Sequence, residues 1–346
     1  MTLETSHPGW ADPDLQRAAL DWVTGQLGRQ GRRVTGPVEP RVRPWSLVWR
    51  VPTDAGDVWF KANNPGTRHE AALLAALARR APGRVLDPIA VDAERGWSLL
   101  PDGGESLRDV LGRDRDPARW ERVLPEYADL QLTMTPYADE LLALGVPDHR
   151  PETLPRLFEA LLDDEESLLL GTEDGLTPQA HDRLRAQRAT YAERCRRLAE
   201  IGVPATVQHD DLHDGNVFAA AGGHRFFDWG DASVAHPFGT LLVTLRSVAH
   251  TFALPVGDPA LTRLRDAYLE AWSDRHDRAT LREAVDLALP VTTVSRALSW
   301  RRALDTPDPA RAGYAAAVPG WLEELLAPPP VTPGGPATVE PPRAAG

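Results

Sequence analysis

The chain has 346 residues, 42% hydrophobic and 25% charged, with a net charge of −12, long enough for two lobes around a cleft or for one large domain. The acidic balance argues against a nucleic-acid partner and is compatible with a cationic small molecule. Cys195 is the only cysteine, which excludes an internal disulfide and a cysteine-built zinc site; no apolar run nears the roughly 20 residues of a membrane span, and the N-terminal stretch lacks a secretory pattern, so a cytoplasmic protein without a membrane partner is expected.

Taken in chain order, residues 13–30 repeat apolar side chains (Leu15, Ala18, Ala19, Trp22, Val23, Leu27) near helical spacing. The period then changes. Residues 45–52 and 57–62 are rich in β-branched and aromatic types around the turn-forming 53–56, which predicts a hairpin with Lys61 late in its second strand. Trp45, Trp49 and Trp59 read as core of that region. Lys61 is the only lysine among 38 Lys plus Arg, so this position demands a compact ammonium where arginine serves elsewhere, unless codon bias spared it by chance. A breaker cluster at 63–66 precedes a helix capped by Thr67 and carrying Glu70, Leu73, Leu74 and Leu77. Short strands follow at 85–91 and 97–100, then a break at 101–104, where the lobe boundary is placed, and a helix over 106–111.

From about 117 most segments read as helices, with stripes at Trp120–Leu130 and Leu154–Leu161 and one long, Arg-rich, exposed helix over 178–200. Residues 203–231 differ: two short apolar strands, 205–207 and 225–227, flank a polar loop full of acids and histidines. Helices resume at about 237 and continue to 327. The tail 328–346 is mostly Pro, Gly, Ala and Thr and is expected to be disordered.

The polar loop carries the chemistry. Transfer of a phosphoryl group to a hydroxyl needs a carboxylate to take the proton, hard oxygen ligands for magnesium, and a cation on the phosphates. Asp211 and Asn216, five residues apart in the loop, allow one side chain to face an acceptor and the other a metal; Asp228, closing the second strand, enters the same cleft. His209, two residues before Asp211, is placed to hold the loop by hydrogen bonding.

The pattern His209-x-Asp211-Leu212-His213-x-Gly215-Asn216, followed by Asp228-Trp229, resembles the catalytic loop and metal-binding aspartate of the aminoglycoside phosphotransferase family, distant relatives of the protein kinases. The resemblance covers roughly residues 40–325. It implies an α+β, bilobal protein-kinase-like fold: a β-rich nucleotide-binding lobe over 1–101 and a helical lobe with catalytic loop and substrate site over 102–327. It also implies Asp211 as catalytic base, Asn216 and Asp228 on Mg2+, and Lys61 on the nucleotide phosphates, paired with Glu70. The activity implied is transfer of the γ-phosphoryl group of ATP (or GTP) to a hydroxyl of a small molecule, aminoglycoside-like, amino alcohol or sugar, with a cationic acceptor compatible with the acidic charge. The segment 99–102 would offer backbone groups to the base of the nucleotide.

Three departures accompany the likeness. No G-x-G-x-x-G precedes the hairpin, whose turn falls near Arg43–Leu47. Asp210 replaces the usual small residue after His209. Gly239 stands where relatives carry an aspartate, which leaves support of the loop to His236 or Asp231.

Other residues have plainer readings. Asp210 and Asp214 read as solvated loop acids, His213 as packing under the loop, Asp231 as either a helix cap or a support for the metal, and the run 163–166 as a solvated helix face. Two rival functions use the same residues: a metal-dependent hydrolase built on His209, Asp211, His213 and Asp228, and a non-catalytic nucleotide-binding pseudokinase. The first leaves Lys61, Glu70 and Asn216 without roles.

Overall fold

The computed structural model describes residues 9–220 and 222–326; the tail 328–346 and Ala327 lie outside the described residues. Helix α1 (Pro13–Arg29) starts on Asp12, whose carboxylate accepts from the amides of Asp14 and Leu15, with Pro13 preset for the first turn. Strands β1 (Glu39–Arg43), β2 (Ser46–Val51), β3 (Val58–Asn63), β4 (Ala90–Asp92) and β5 (Trp97–Pro101) form an antiparallel sheet in the order β1-β2-β3-β5-β4. Side chains alternate across it. Leu47, Trp49 and Val51 of β2 and Val58, Phe60 and Ala62 of β3 bury against Ala19, Val23 and Leu27 of α1, which leaves Lys61 on the opposite face.

Strand β1 was not anticipated, because Glu39–Val42 is exposed and shows no alternation. The expected strand over 85–91 shrinks to β4: Pro88 has no amide to donate, and Val85 and Leu86 are buried without joining the ladder. Thr67 does not cap α2 (His69–Arg80), which starts without a side-chain cap; its hydroxyl donates to the Trp45 carbonyl at 3.2 Å instead. Of the three hairpin tryptophans, Trp49 is core, Trp59 is 36% exposed, and Trp45 packs edge-on against Trp300 and Tyr314.

After Pro101 a short linker leads to α3 (Leu107–Asp114), capped by Ser106. The helical part contains α4 (Trp120–Met134), α5 (Ala138–Ala143), α6 (Leu154–Leu162), α7 (Pro178–Ala186), α8 (Arg188–Glu200), α9 (Thr240–Phe252), α10 (Pro259–Glu270), α11 (Arg278–Ala303) and α12 (Ala317–Glu323). The single helix expected over 178–200 is two, broken at Gln187, so that each half buries its own stripe: His181 and Leu184, then Tyr191, Cys195 and Leu198. Their core is aromatic, with Trp120, Tyr127, Phe158, Trp229, Phe238, Tyr268 and Trp272 fully buried. Leu73, Leu74 and Leu77 of α2 join it.

The stretch expected to hold the chemistry is pinned at both ends. Strand β7 (Thr206–Gln208) pairs antiparallel with a later strand, β10 (Ser233–Ala235), which also pairs in parallel with β6 (Asp148–His149). Between them β8 (Val217–Ala220) and β9 (Gly223–Phe226) form a hairpin. Two strands were expected here, near β7 and β9; β8 and β10 are additional. The C-terminal end of α11 reaches back to the sheet: Asn64 Nδ2 donates to the Ala303 carbonyl at 2.9 Å.

Candidate active site

Lys61 joins the two halves of the molecule. Its Nζ lies 2.7 Å from Glu70 Oε2 and 2.6 Å from Asp228 Oδ1. Burial opposes the ammonium charge, but the carboxylates of Asp228 and Glu70 outweigh it and hold the group above its ordinary range. Glu70, in the first turn of α2, also accepts from Asn63 Nδ2 at 2.9 Å and from the Trp229 amide at 3.0 Å. It therefore ties α2 to the residue after Asp228. Asp228 adopts a left-handed backbone, φ 64°, a strained conformation for a residue with a Cβ. Partial desolvation of its half-exposed side chain works against its charge, yet Lys61 holds the carboxyl below the usual range.

The loop after β7 is braced from beneath by His209. The His209 amide donates to Tyr127 Oη at 2.9 Å. Its ring Nε2 donates to the Phe227 carbonyl at 2.8 Å, and Nδ1 accepts from the Asp211 amide at 3.3 Å. A carbonyl only accepts, so the ring is neutral with the proton on Nε2; burial lowers its pKa in the same sense. One ring thus links Asp211 to Phe227, the neighbour of Asp228.

Asn216 and Asp228 are neighbours because β8–β9 is a hairpin. Val217 pairs with Phe226, and beyond that pair the Phe227 amide donates to the Asn216 carbonyl at 3.1 Å. Asn216 Nδ2 donates to the Asp211 carbonyl at 3.0 Å, which turns its amide oxygen the other way. An amide oxygen and a half-exposed carboxylate at the mouth of one hairpin are hard donors suited to a magnesium ion.

Asp211 is held from the side by a residue that the sequence reading missed. Arg296 Nη2 donates to Asp211 Oδ1 at 3.1 Å, and Nη1 to Asp231 Oδ2 at 2.9 Å. Arg296 is 3% exposed, on α11, in a segment where every residue from Val291 to Ser299 is buried. That was the available signal: Arg296 is the one charged residue between Asp286 and Arg301. Asp231 is accordingly not a helix cap; it anchors Arg296.

Two expected solvated acids are not solvated. Asp210 is 1% exposed, adopts φ 62°, and accepts from Ser233 Oγ at 2.6 Å and Ser295 Oγ at 3.2 Å. Burial pushes its pKa up to about 6. Asp214 is buried and paired with Arg108 at 2.9 Å. Both were misread because their partners lie far along the chain. His213 caps the turn, its Nδ1 accepting from the Gly215 amide at 3.0 Å. Gly239 packs its backbone against Thr292 and Gln208. Loop support comes through Asp231 by way of Arg296, while His236 caps the turn before α9. The run 163–166 is paired rather than merely solvated: Asp163 with Arg185, Asp164 with Arg301, Glu166 with Arg311.

The hydrolase grouping does not assemble. Both ring nitrogens of His209 are committed, and among the described residues no three His, Cys, Asp or Glu side chains converge as a metal set.

A family model described as "Phosphotransferase enzyme family" matches residues 39–284. No curated protein matches the chain. Among solved structures, an ethanolamine kinase of Plasmodium vivax shares 11% identity at a TM-score of 0.59, covering 90% of this chain and 89% of its own. A choline/ethanolamine kinase family protein from Mesorhizobium loti shares 20% at 0.56, covering 90% and 96%. An amicoumacin kinase in complex with AMP-PNP and Ca2+ shares 14% at 0.55, covering 93% and 98%. These likenesses identify the fold as protein-kinase-like.

Proposed function

From the premise that the chain belongs to the phosphotransferase enzyme family, and is therefore a small-molecule kinase, we propose that it transfers the γ-phosphoryl group of ATP to a hydroxyl of an amino alcohol, sugar or aminoglycoside-like acceptor. The observation that carries this reading is Lys61, held within 2.7 Å of Glu70 and 2.6 Å of Asp228 while Asp211 stands one histidine ring away. The 1–101 lobe supplies Lys61 to the phosphates, and the helical lobe supplies the loop.

In this reading Asp211 orients the acceptor hydroxyl and takes its proton as the new O–P bond forms and the bond to the ADP oxygen breaks. Arg296 occupies Oδ1, and Oδ2, 3.6 Å from His213 Nε2, is the oxygen that would meet the hydroxyl. Asn216 and Asp228 would hold magnesium, which when bound neutralises charge on the β- and γ-phosphates. Lys61 steadies the phosphates, and Glu70 keeps Lys61 in place. His209 holds the loop that sets the distance between Asp211 and the residues around Asp228, and positioning of this kind supplies most of the rate.

The test is Asp211→Asn against a panel of amino alcohols, sugars and aminoglycosides. Turnover falls by roughly a thousandfold, while magnesium–ATP at about 100 times its dissociation constant still adds roughly 2.7 kcal/mol of stability. Turnover within tenfold of the unsubstituted enzyme would remove Asp211 as the base.

A further inference from the structure

Asp210 carries two local costs. Its backbone is left-handed at φ 62°, a conformation that glycine takes freely and a residue with a Cβ takes under strain. Its carboxylate is 1% exposed, and removal from water disfavours the charge. A glycine would avoid both costs. The chain nevertheless places an acid here, directly before Asp211, and brings three elements around it.

From β10, Ser233 Oγ donates to Asp210 Oδ2 at 2.6 Å. From α11, Ser295 Oγ reaches Oδ2 at 3.2 Å and Oδ1 at 3.3 Å. From β6, His149 Nδ1 lies 2.7 Å from the Ser295 hydroxyl oxygen. With the one hydroxyl proton of Ser295 given to Asp210, the ring Nδ1 is the donor to that oxygen and fixes the serine in turn. All four side chains are buried. Two neighbours on α11 thus grip two neighbours on the loop, Ser295 on Asp210 and Arg296 on Asp211. The same helix closes off position 239. An added Cβ at Gly239 would run into Gln208 Nε2 and Thr292 Oγ1, and Thr292 lies on α11 three residues before Ser295. The helix that fills the space at Gly239 is therefore the helix that holds Asp210. The competing account is that Asp210 only satisfies two buried hydroxyls, and it requires no link to Asp211.

We propose that Asp210 is a positioning residue for Asp211. Clamped by Ser233 and Ser295, its carboxylate fixes the peptide that joins the two acids, and this is the support that an aspartate at position 239 cannot give in this chain. Rotation of that peptide swings the Asp211 carboxylate away from the acceptor hydroxyl, and a misplacement of about 1 Å is enough to cost roughly a hundredfold in rate. The proposal rests on the reading of Asp211 as the base.

Two measurements test it. Hydrogen exchange needs no acceptor: in Ser295→Ala, which leaves the loop sequence intact, the amides of residues 209–213 exchange about tenfold faster while those of β2 and β3 are unchanged. Steady-state kinetics use magnesium–ATP and the panel acceptor that the unsubstituted enzyme turns over fastest. In Asp210→Gly, kcat falls about a hundredfold with the KM for ATP within about twofold, and Asp210→Asn, which keeps an oxygen for Ser233, restores part of the loss. Unchanged exchange across 209–213 in Ser295→Ala overturns the proposal. So does a kcat within about threefold in Asp210→Gly when Asp211→Asn has lost its turnover; that result leaves the base reading standing. Turnover retained in Asp211→Asn overturns the base reading and this role with it.

Discussion

Arg296 spans Asp211 and Asp231 with two nitrogens of one guanidinium, 3.1 Å from the first and 2.9 Å from the second. The pair is separated from α11 by 85 residues of sequence in the case of Asp211, so the contact exists only in the folded chain. Removing the guanidinium leaves two carboxylates without their buried cation. Arg296→Met is expected to cost about 3–5 kcal/mol of stability and to lower kcat by roughly a hundredfold through a mis-set Asp211. Arg296→Lys regains part of the stability and less of the turnover, because an ammonium does not reproduce the planar fork. Denaturant titration with steady-state kinetics checks both, and an unchanged kcat in Arg296→Met would refute the role.

Lys61 sits between two carboxylates, in a slot shaped by Asn63, Glu70 and Asp228. Lys61→Arg keeps the charge and changes its shape. Turnover is expected to drop by about two orders of magnitude, and ATP binding to weaken with it. Equal kinetics for the arginine variant would mean that the single lysine of this chain is an accident of codon usage.

Asp210 provides a pH-dependent prediction. Its pKa rises from 3.8 to about 6 on folding because burial disfavours the charge. Between those values the native state keeps the proton and the unfolded state has lost it, so stability falls as pH rises through the window. Asp210→Asn removes the titration and can keep an acceptor for Ser233. Relative to the unsubstituted protein, the variant should gain roughly 2 kcal/mol between pH 4.5 and pH 7.5. Urea melts at the two pH values measure it; a difference independent of pH would contradict the burial argument.

Gly66 lies against the backbone of α11, where an added Cβ would run into the Arg302 carbonyl. That carbonyl is backbone and cannot rotate away. Gly66→Ala should therefore part the contact that includes Asn64 and Ala303, lowering stability by about 1–3 kcal/mol and raising the KM for the nucleotide. Gly28→Ala, in an open helical position with nothing near its Cβ, serves as the control and should be neutral or mildly stabilising. Equal melting temperatures for the two variants would show that the sheet and α11 do not depend on this approach.

What sequence alone determined here is whatever repeats over a few residues or is written in spacing. β-branched and aromatic residues on either side of a turn marked the strands around Lys61, a period near 3.6 marked α1, α2 and α4, and the run from His209 to Asn216 with Asp228 beyond carried the family and its fold. Each depends on neighbours along the chain. The tertiary structure decided the rest. Lys61 meets Asp228 across 167 residues and Arg296 meets Asp211 across 85, and no local pattern names such partners. Asp210 and Asp214 looked like solvated acids because polarity along the chain predicts exposure; Ser233, Ser295 and Arg108 meet them only after folding and make their burial tolerable. Trp45 looked like core of the small sheet, but its ring found Trp300 and Tyr314. A side chain is buried where the chain as a whole supplies enough partners to replace water, and that balance is struck across the molecule rather than within any one segment.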